Sequence, residues 1–194
     1  MPNTLRIRSG SAVLWVALLT MVALAVPSQA SPSVGPVDGQ HDFDWEIGTW
    51  KTDLRRLAKP LSGSNEWVEY TGTSVIRKVL DGRENLVELR VKGPAGQIEG
   101  VSLRLYNPQT KQWSLNFASA RNGVMTQPVY GGFRNGRGEF FGQDSLDGRA
   151  IFVRFVISKV TEASWRFEQA YSDDGGRTWE TNWIAVDTRV KDGE

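Results

Sequence analysis

Groups able to move protons or hold metals are few and scattered in this chain. His41 is the one histidine, and cysteine is absent. That removes thiol catalysis, thiolate metal sites, a disulfide framework and a lipid-bearing Cys. His41 precedes the patterned part of the chain, which leaves no basis for a Ser-His-Asp triad or a His-built metal cluster in the interior. Glu88, Glu168, Tyr130 and Tyr171 remain as acids and phenols for general acid–base work, which at neutral pH needs a carboxyl with a raised pKa. Their spacing singles none of them out, so no catalytic residue is assigned. Asp42, Asp44 and Glu46 alternate along the chain without the glycine and closing glutamate of an EF-hand. They read as a polar face flanking Phe43 and Trp45. Gly131, Gly132, Gly136 and Gly138 surround a hairpin turn, with no following helix to present its N-terminus to a phosphate. These residues imply no cofactor and no metal.

The elements that must position these groups are strands. Turn signals recur at Asp81-Gly82, Asn107-Pro108, Asn135-Gly136, Asp147-Gly148 and Asp174 to Gly176, where Gly, Asn and Asp accept positive φ. Between them run segments of alternating apolar and polar residues, beginning with Trp50, Thr52 and Leu54 on one face. The others are Trp67 to Val79, Asn85 to Val91, Val101 to Tyr106, Gln112 to Ala120, Tyr130 to Phe133, Glu139 to Ser145, Ala150 to Ser158, Ser164 to Tyr171 and Thr178 to Thr188. Gly72 is expected to mark a bulge, and Lys92 to Gly100 a loop. Phe43, Ile47 and Trp50, at i, i+4 and i+7, predict a short helical turn before Gly48. The fold class is all-β. A meander of this length closes its apolar face as a sandwich or a barrel, and closure removes the unpaired edges. The expectation is a single antiparallel up-and-down barrel of about 8–10 strands over residues 41–190, with a short N-terminal helical plug.

Faces follow from strict alternation. One side collects Val87, Leu89, Leu103, Leu105, Trp113, Leu115, Phe117, Val153, Phe155, Ile157, Trp165, Phe167 and Trp183, and is expected inside. The other collects Glu88, Arg104, Ser114, Asn116, Arg154, Glu168, Glu180 and Asn182, with Arg154 and Glu168 as a solvated outer pair worth roughly 0–1 kcal/mol. An aromatic-lined lumen suits a small apolar or amphiphilic molecule, with Trp113, Phe117, Phe155, Phe167 and Trp183 as candidate ligand-binding residues. Two other readings stay open: a cofactor-independent isomerase or cyclase using one lumen carboxylate or tyrosine, and an interaction module whose lumen is filled.

Arg6 and Arg8, an apolar run from Ala12 to Val26 and Ser28-Gln29-Ala30 make a secretory signal peptide over 1–30, cleaved after Ala30. Residues 31–40 read as a flexible leader and 191–194 as a C-terminal tail. The signal carries two of the 23 basic residues and none of the 22 acids, leaving a mature charge of −1. Near-neutrality argues against nucleic acid as a partner and against an anionic lipid surface. The expected location is the bacterial periplasm or outside the cell, without a membrane anchor after cleavage. Oligomeric state stays open.

Three blocks carry a resemblance. Phe43-Asp44-Trp45-Glu46-Ile47-Gly48-Thr49-Trp50 resembles the F-D-F/W-x-x-G-x-W start of calycin-like barrels, in which a short helical segment closes one end. Tyr106-Asn107-Pro108-Gln109-Thr110-Lys111-Gln112-Trp113 is similar to that family's Y-D/N-P-x-T-x-x-W hairpin. Ser172 to Trp179, closing on Thr188-Arg189, resembles its S-x-D-G-G-K-T-W…T-R ending. The group most similar is a bacterial, often secreted family of unknown function. Lipocalins and fatty-acid-binding proteins resemble it more distantly and imply a lumen holding a small molecule. Some calycin-like barrels hold haem through His. No His falls on the C-terminal strands here, while Tyr ligation stays open. Ser172, Asp174, Gly176 and Trp179 also match the S-x-D-x-G-x-x-W Asp box of sialidase propellers, which folds a turn. One copy does not make a propeller.

Overall fold

The computed structural model describes residues 38–191. The expected signal segment 1–30, residues 31–37 of the expected leader and residues 192–194 of the tail lie outside the described residues. The described chain starts with 3-10 turns at Gly39–His41 and Asp44–Glu46. Eleven strands follow: β1 (Gly48–Leu57), β2 (Trp67–Val79), β3 (Glu84–Gly93), β4 (Gly96–Asn107), β5 (Gln112–Ser119), β6 (Val124–Met125), β7 (Val129–Arg134), β8 (Arg137–Leu146), β9 (Arg149–Ser158), β10 (Ser164–Ser172) and β11 (Glu180–Arg189).

Each long strand pairs antiparallel with its sequence neighbours, and β11 returns to β1, so ten of them close an up-and-down barrel. β6, two residues long, continues the seam along β5 beyond β7. The expected strands and turns are present. Asn135-Gly136 and Asp147-Gly148 have φ of 53° and 73°, and 51° and 78°. Positive φ at both central residues is what a tight hairpin between right-twisted strands requires. Gly93 pairs with Gly96, so the expected loop from Lys92 to Gly100 is a two-residue hairpin between longer strands.

Aromatic residues anchor the N-terminal segment as a plug. Phe43 is buried, with ring centroids 4.9 Å from Trp113 and 5.0 Å from Phe133, both edge-on. Indole N–H groups pin its backbone: Trp113 Nε1 donates to the Gly39 carbonyl at 2.8 Å and Trp50 Nε1 to that of Glu46 at 2.7 Å. From β11, Arg189 donates to the carbonyls of Ile47 at 2.9 Å and Trp45 at 2.6 Å, with its guanidinium 4.1 Å from the Trp50 ring centroid. A short segment with little repetitive hydrogen bonding of its own is thereby held by side-chain donors.

Four further expectations need correction at this level. Gly72 is not a bulge: Thr52, Gly72 and Val91 pair in unbroken register, and the missing side chain makes room for the carbonyl of Arg90. On β4 the parity is reversed. Leu103 and Leu105 are half-buried, while Arg104 is buried on the lumen side. Glu46 is fully buried in contact with Arg104 and does not share an outer polar face with Asp42 and Asp44. Arg154 and Glu168 do not pair. Arg154 pairs in register with Ala170 and lies over the Trp179 ring at 4.7 Å, and Glu168 takes Arg166 at 2.9 Å.

The β10–β11 turn is organised by one carboxylate. Asp174 Oδ1 accepts from Ser172 Oγ at 2.8 Å, Arg177 N at 2.9 Å and Thr178 N at 3.0 Å, and Oδ2 from Thr178 Oγ1 at 2.7 Å. Trp179 Nε1 donates to Gly176 O at 3.0 Å. Led by the Thr178 backbone N–H, these donors hold the Asp174 carboxyl well below its ordinary 3.8. Asp174→Ala is expected to lower the chemical-denaturation midpoint at neutral pH. A depressed carboxyl contributes fully above its unfolded pKa and loses that contribution as pH falls, so the gap to wild type should narrow in acid. Equal midpoints at neutral pH would contradict this role.

Candidate functional site

The lumen holds a cavity of about 310 Å³. β1, β9, β10 and β11 run from the plug to the opposite end, and their register sorts its lining. Thr52 pairs with Asp187 and Trp165 with Asp187, next to the plug, while Arg56 pairs with Trp183 at the far end. Leu54, Leu89, Phe117, Phe155, Phe167 and Trp183 supply apolar wall, with the Phe155 and Phe167 ring centroids 5.0 Å apart and edge-on. Of the five rings expected to line the lumen, four do. Trp113 is buried in the packing around the plug and lies outside the cavity wall.

Asn182, expected outside, lines the cavity beside Trp183. Gln169 pairs with Trp183 and Ala170 with Thr181, so Asn182 is an extra residue in β11. A bulge of this kind re-aims a side chain. Asn182 Oδ1 accepts from Gln169 Nε2 at 2.8 Å, and its own amide nitrogen is buried without a partner. The indole nitrogen of Trp165 is also buried and unpartnered.

The plug end of the cavity is polar. Asp187 is 1% exposed and accepts from Thr52 Oγ1 at 2.5 Å, and Thr52 Oγ1 is 2.7 Å from Ser74 Oγ. Arg104, also buried, contacts the Glu46 carboxylate from the plug and stacks over Phe43 at 4.3 Å. Burial brings the guanidinium down to about 9, and the Asp187 charge holds it up, so it remains a cation at neutral pH. Burial pushes the Asp187 carboxyl from 3.8 up to about 6, against the Thr52 and Ser74 hydroxyls and Arg104, which pull it down. Asp187 shares the inward parity of Trp183 and Ala185 in unbroken register. Sequence reading missed this group because its partners Thr52, Ser74 and Arg104 stand on other strands, far away in the chain. Of the four acids and phenols singled out, Glu88 and Glu168 pair with arginines outside the lumen and Tyr130 is exposed. Tyr171 lines the cavity, its phenol pKa raised chiefly by burial. His41 is exposed and contacts Asp44 at 3.1 Å.

Asp187 makes stability pH-dependent. A carboxyl whose folded pKa exceeds its unfolded value is penalised once both states ionise, so its contribution declines as pH rises from 3.8 to about 6. At 1.36 kcal/mol per pKa unit the decline is about 3 kcal/mol. Asp187→Asn is expected to remove it, gaining on wild type between about pH 4 and pH 7 in denaturation midpoints. Parallel midpoint–pH curves would contradict the assignment.

No family model matches the chain, and neither does any curated protein. Among solved structures it is similar to the S-type phycobiliprotein lyase CPES from Guillardia theta, at 13% identity and a TM-score of 0.52, over 78% of this chain and 92% of that one. The fold is a lipocalin-like barrel. Weaker likenesses join it to EF1p2_mFAP2b bound to DFHBI (8% identity, TM-score 0.43, 79% of this chain and 99% of that) and to the redesigned β-barrel mFAP1 bound to DFHBI (10%, 0.40, 75% and 96%). At these identities the likeness describes the barrel alone.

Proposed function

We propose that this protein binds a small amphiphilic molecule in the barrel lumen. The observation that carries the reading is a cavity walled by Phe117, Phe155, Phe167 and Trp183 with a polar group set at its plug end. Apolar walls supply burial, and a few fixed polar groups orient the ligand. The filled-barrel reading loses its premise to that cavity. The test is titration with N-phenyl-1-naphthylamine, a neutral dye that brightens in apolar surroundings, together with native mass spectrometry of the purified protein. Saturable binding that weakens in Phe155→Ala and Phe167→Ala supports the lumen site, and absence of dye binding would remove it.

A second reading is a cofactor-independent, isomerase-type enzyme with Asp187 as the proton-transferring carboxylate. It is favoured by the raised pKa of an acid in the cavity wall. We further propose export to the bacterial periplasm or beyond, supported by the basic start, apolar run and Ser28-Gln29-Ala30. The mature N-terminus is expected at Ser31, read by mass spectrometry of the exported protein, and retention of residues 1–30 would overturn cleavage.

A further inference from the structure

The plug end of the lumen carries an unbalanced charge. Two carboxylates, Glu46 and Asp187, face one guanidinium, Arg104, and all three are buried. Arg104 contacts the Glu46 carboxylate directly. No such contact joins it to Asp187, which it affects only at longer range. The direct donor to Asp187 is the neutral hydroxyl of Thr52, at 2.5 Å. At the far end Arg56 and Asp144 add one charge of each sign to the cavity wall. The side chains of the lumen therefore include one carboxylate more than their cations balance, and it stands in the wall of the cavity. A buried charge lacking a counter-charge is expensive, and a ligand able to supply one gains an ion partner that the protein's own side chains do not provide.

We propose that the plug end of the lumen is a head-group subsite for a protonated amine, with Asp187 as its ion partner. The inference rests on the lumen being a ligand site and names the ligand's class: an amphiphile with a cationic amino head and an apolar body. The head meets Asp187, Thr52 and Ser74, and the face of Trp165, which pairs in register with Asp187, adds a π-surface favourable to a cation. The body lies between Phe155, Phe167 and Trp183. A carboxylate head would set a second anion beside Asp187 and force it to take up a proton.

The two heads therefore give opposite pH profiles. The charged groups bearing on Asp187 are Arg104 on β4, itself in contact with Glu46 of the plug, and Asp53 on β1, and its register neighbours Thr52 and Trp165 are uncharged. The raised Asp187 pKa of about 6 puts the change in reach. An amine that pairs with the carboxylate pulls that pKa back down, so amine affinity is fully present above about 6 and falls by roughly tenfold per pH unit below it. A carboxylate ligand would strengthen over the same descent.

The experiment displaces N-phenyl-1-naphthylamine from the wild-type protein with decylamine, decanol and decanoate, at pH 7.5 and at about pH 5. Expected is a preference for decylamine over decanol of about tenfold or more at the higher pH, shrinking toward unity at the lower, with decanoate weakest at the higher pH. In Asp187→Asn the amine-to-alcohol ratio should collapse and lose its pH dependence. If that variant fails to fold, the wild-type pH profile still decides. Dye binding without amine preference, or decanoate as the strongest competitor at the higher pH, overturns the head-group assignment and leaves the lumen site standing. Failure of the dye to bind wild type at all would remove the lumen reading, and this inference with it.

Discussion

Glu46→Leu is expected to destabilise the barrel by about 3–5 kcal/mol, the usual consequence of removing one partner of a buried ion pair. Glu46 is fully buried, and Arg104 is 5% exposed with its Nε already unpartnered. Removing the carboxylate leaves the guanidinium with the Phe43 ring at 4.3 Å and the more distant Asp187 charge. Neither replaces a carboxylate in contact. The pair costs desolvation on both sides, so taking both charges away together should be far milder. Glu46→Leu combined with Arg104→Met is expected to recover most of the loss, because apolar groups of similar volume can replace a buried pair at little cost. Chemical denaturation followed by tryptophan fluorescence closes the double-mutant cycle. Additive single effects would mean that the two side chains do not act as a pair.

Gly72→Ala is expected to cost at least about 3 kcal/mol, at the upper end for a single substitution. An added Cβ would stand 2.0 Å from the Arg90 carbonyl oxygen and 2.8 Å from the Val91 Cα. Both are backbone of β3, and β2 is hydrogen-bonded on its other side to β1, so no flexible side chain can yield. Gly132→Ala is the matched control. A Cβ there meets nothing nearer than the Lys111 carbonyl oxygen at 4.0 Å, so the change should fall within about 0.5 kcal/mol. Equal denaturation midpoints for the two variants would show that the close approach at Gly72 is relieved by sheet movement.

Most of the barrel was legible because hairpin grammar is local. Asn135-Gly136 and Asp147-Gly148 take positive φ at both positions, and that requirement is written in two adjacent residues. Period-two alternation then located Phe117, Phe155, Phe167 and Trp183, each on the lumen side. Where alternation failed, a partner distant in sequence had intervened. On β4 the apolar Leu103 and Leu105 suggested one inner face, and the chain turned the other inward, because Glu46 waits 58 positions away to receive Arg104. No window around Arg104 contains that carboxylate. Trp113 was read as inward, which it is, and as part of the lumen lining, where the structure instead packs it around the plug, since the Gly39 carbonyl that takes its N–H at 2.8 Å lies 74 positions earlier.

The sequence by itself determined the class of object: an all-β chain, its strands and turns, a closed meander with an apolar interior, and an N-terminal segment rich enough in aromatics to plug it. Local backbone preference and alternation suffice for these, since each is decided by residues within a few positions of one another. Tertiary structure alone decided the character of the site. A one-residue bulge at Asn182 changed which β11 side chains reach the lumen. Pairing of Thr52 with Asp187, 135 positions apart, put a carboxylate into low-dielectric surroundings, and the plug's Glu46 took up the nearby cation. The ionisation of Asp187 follows from that enclosure, because desolvation acts on a group only once the distant strands have closed around it.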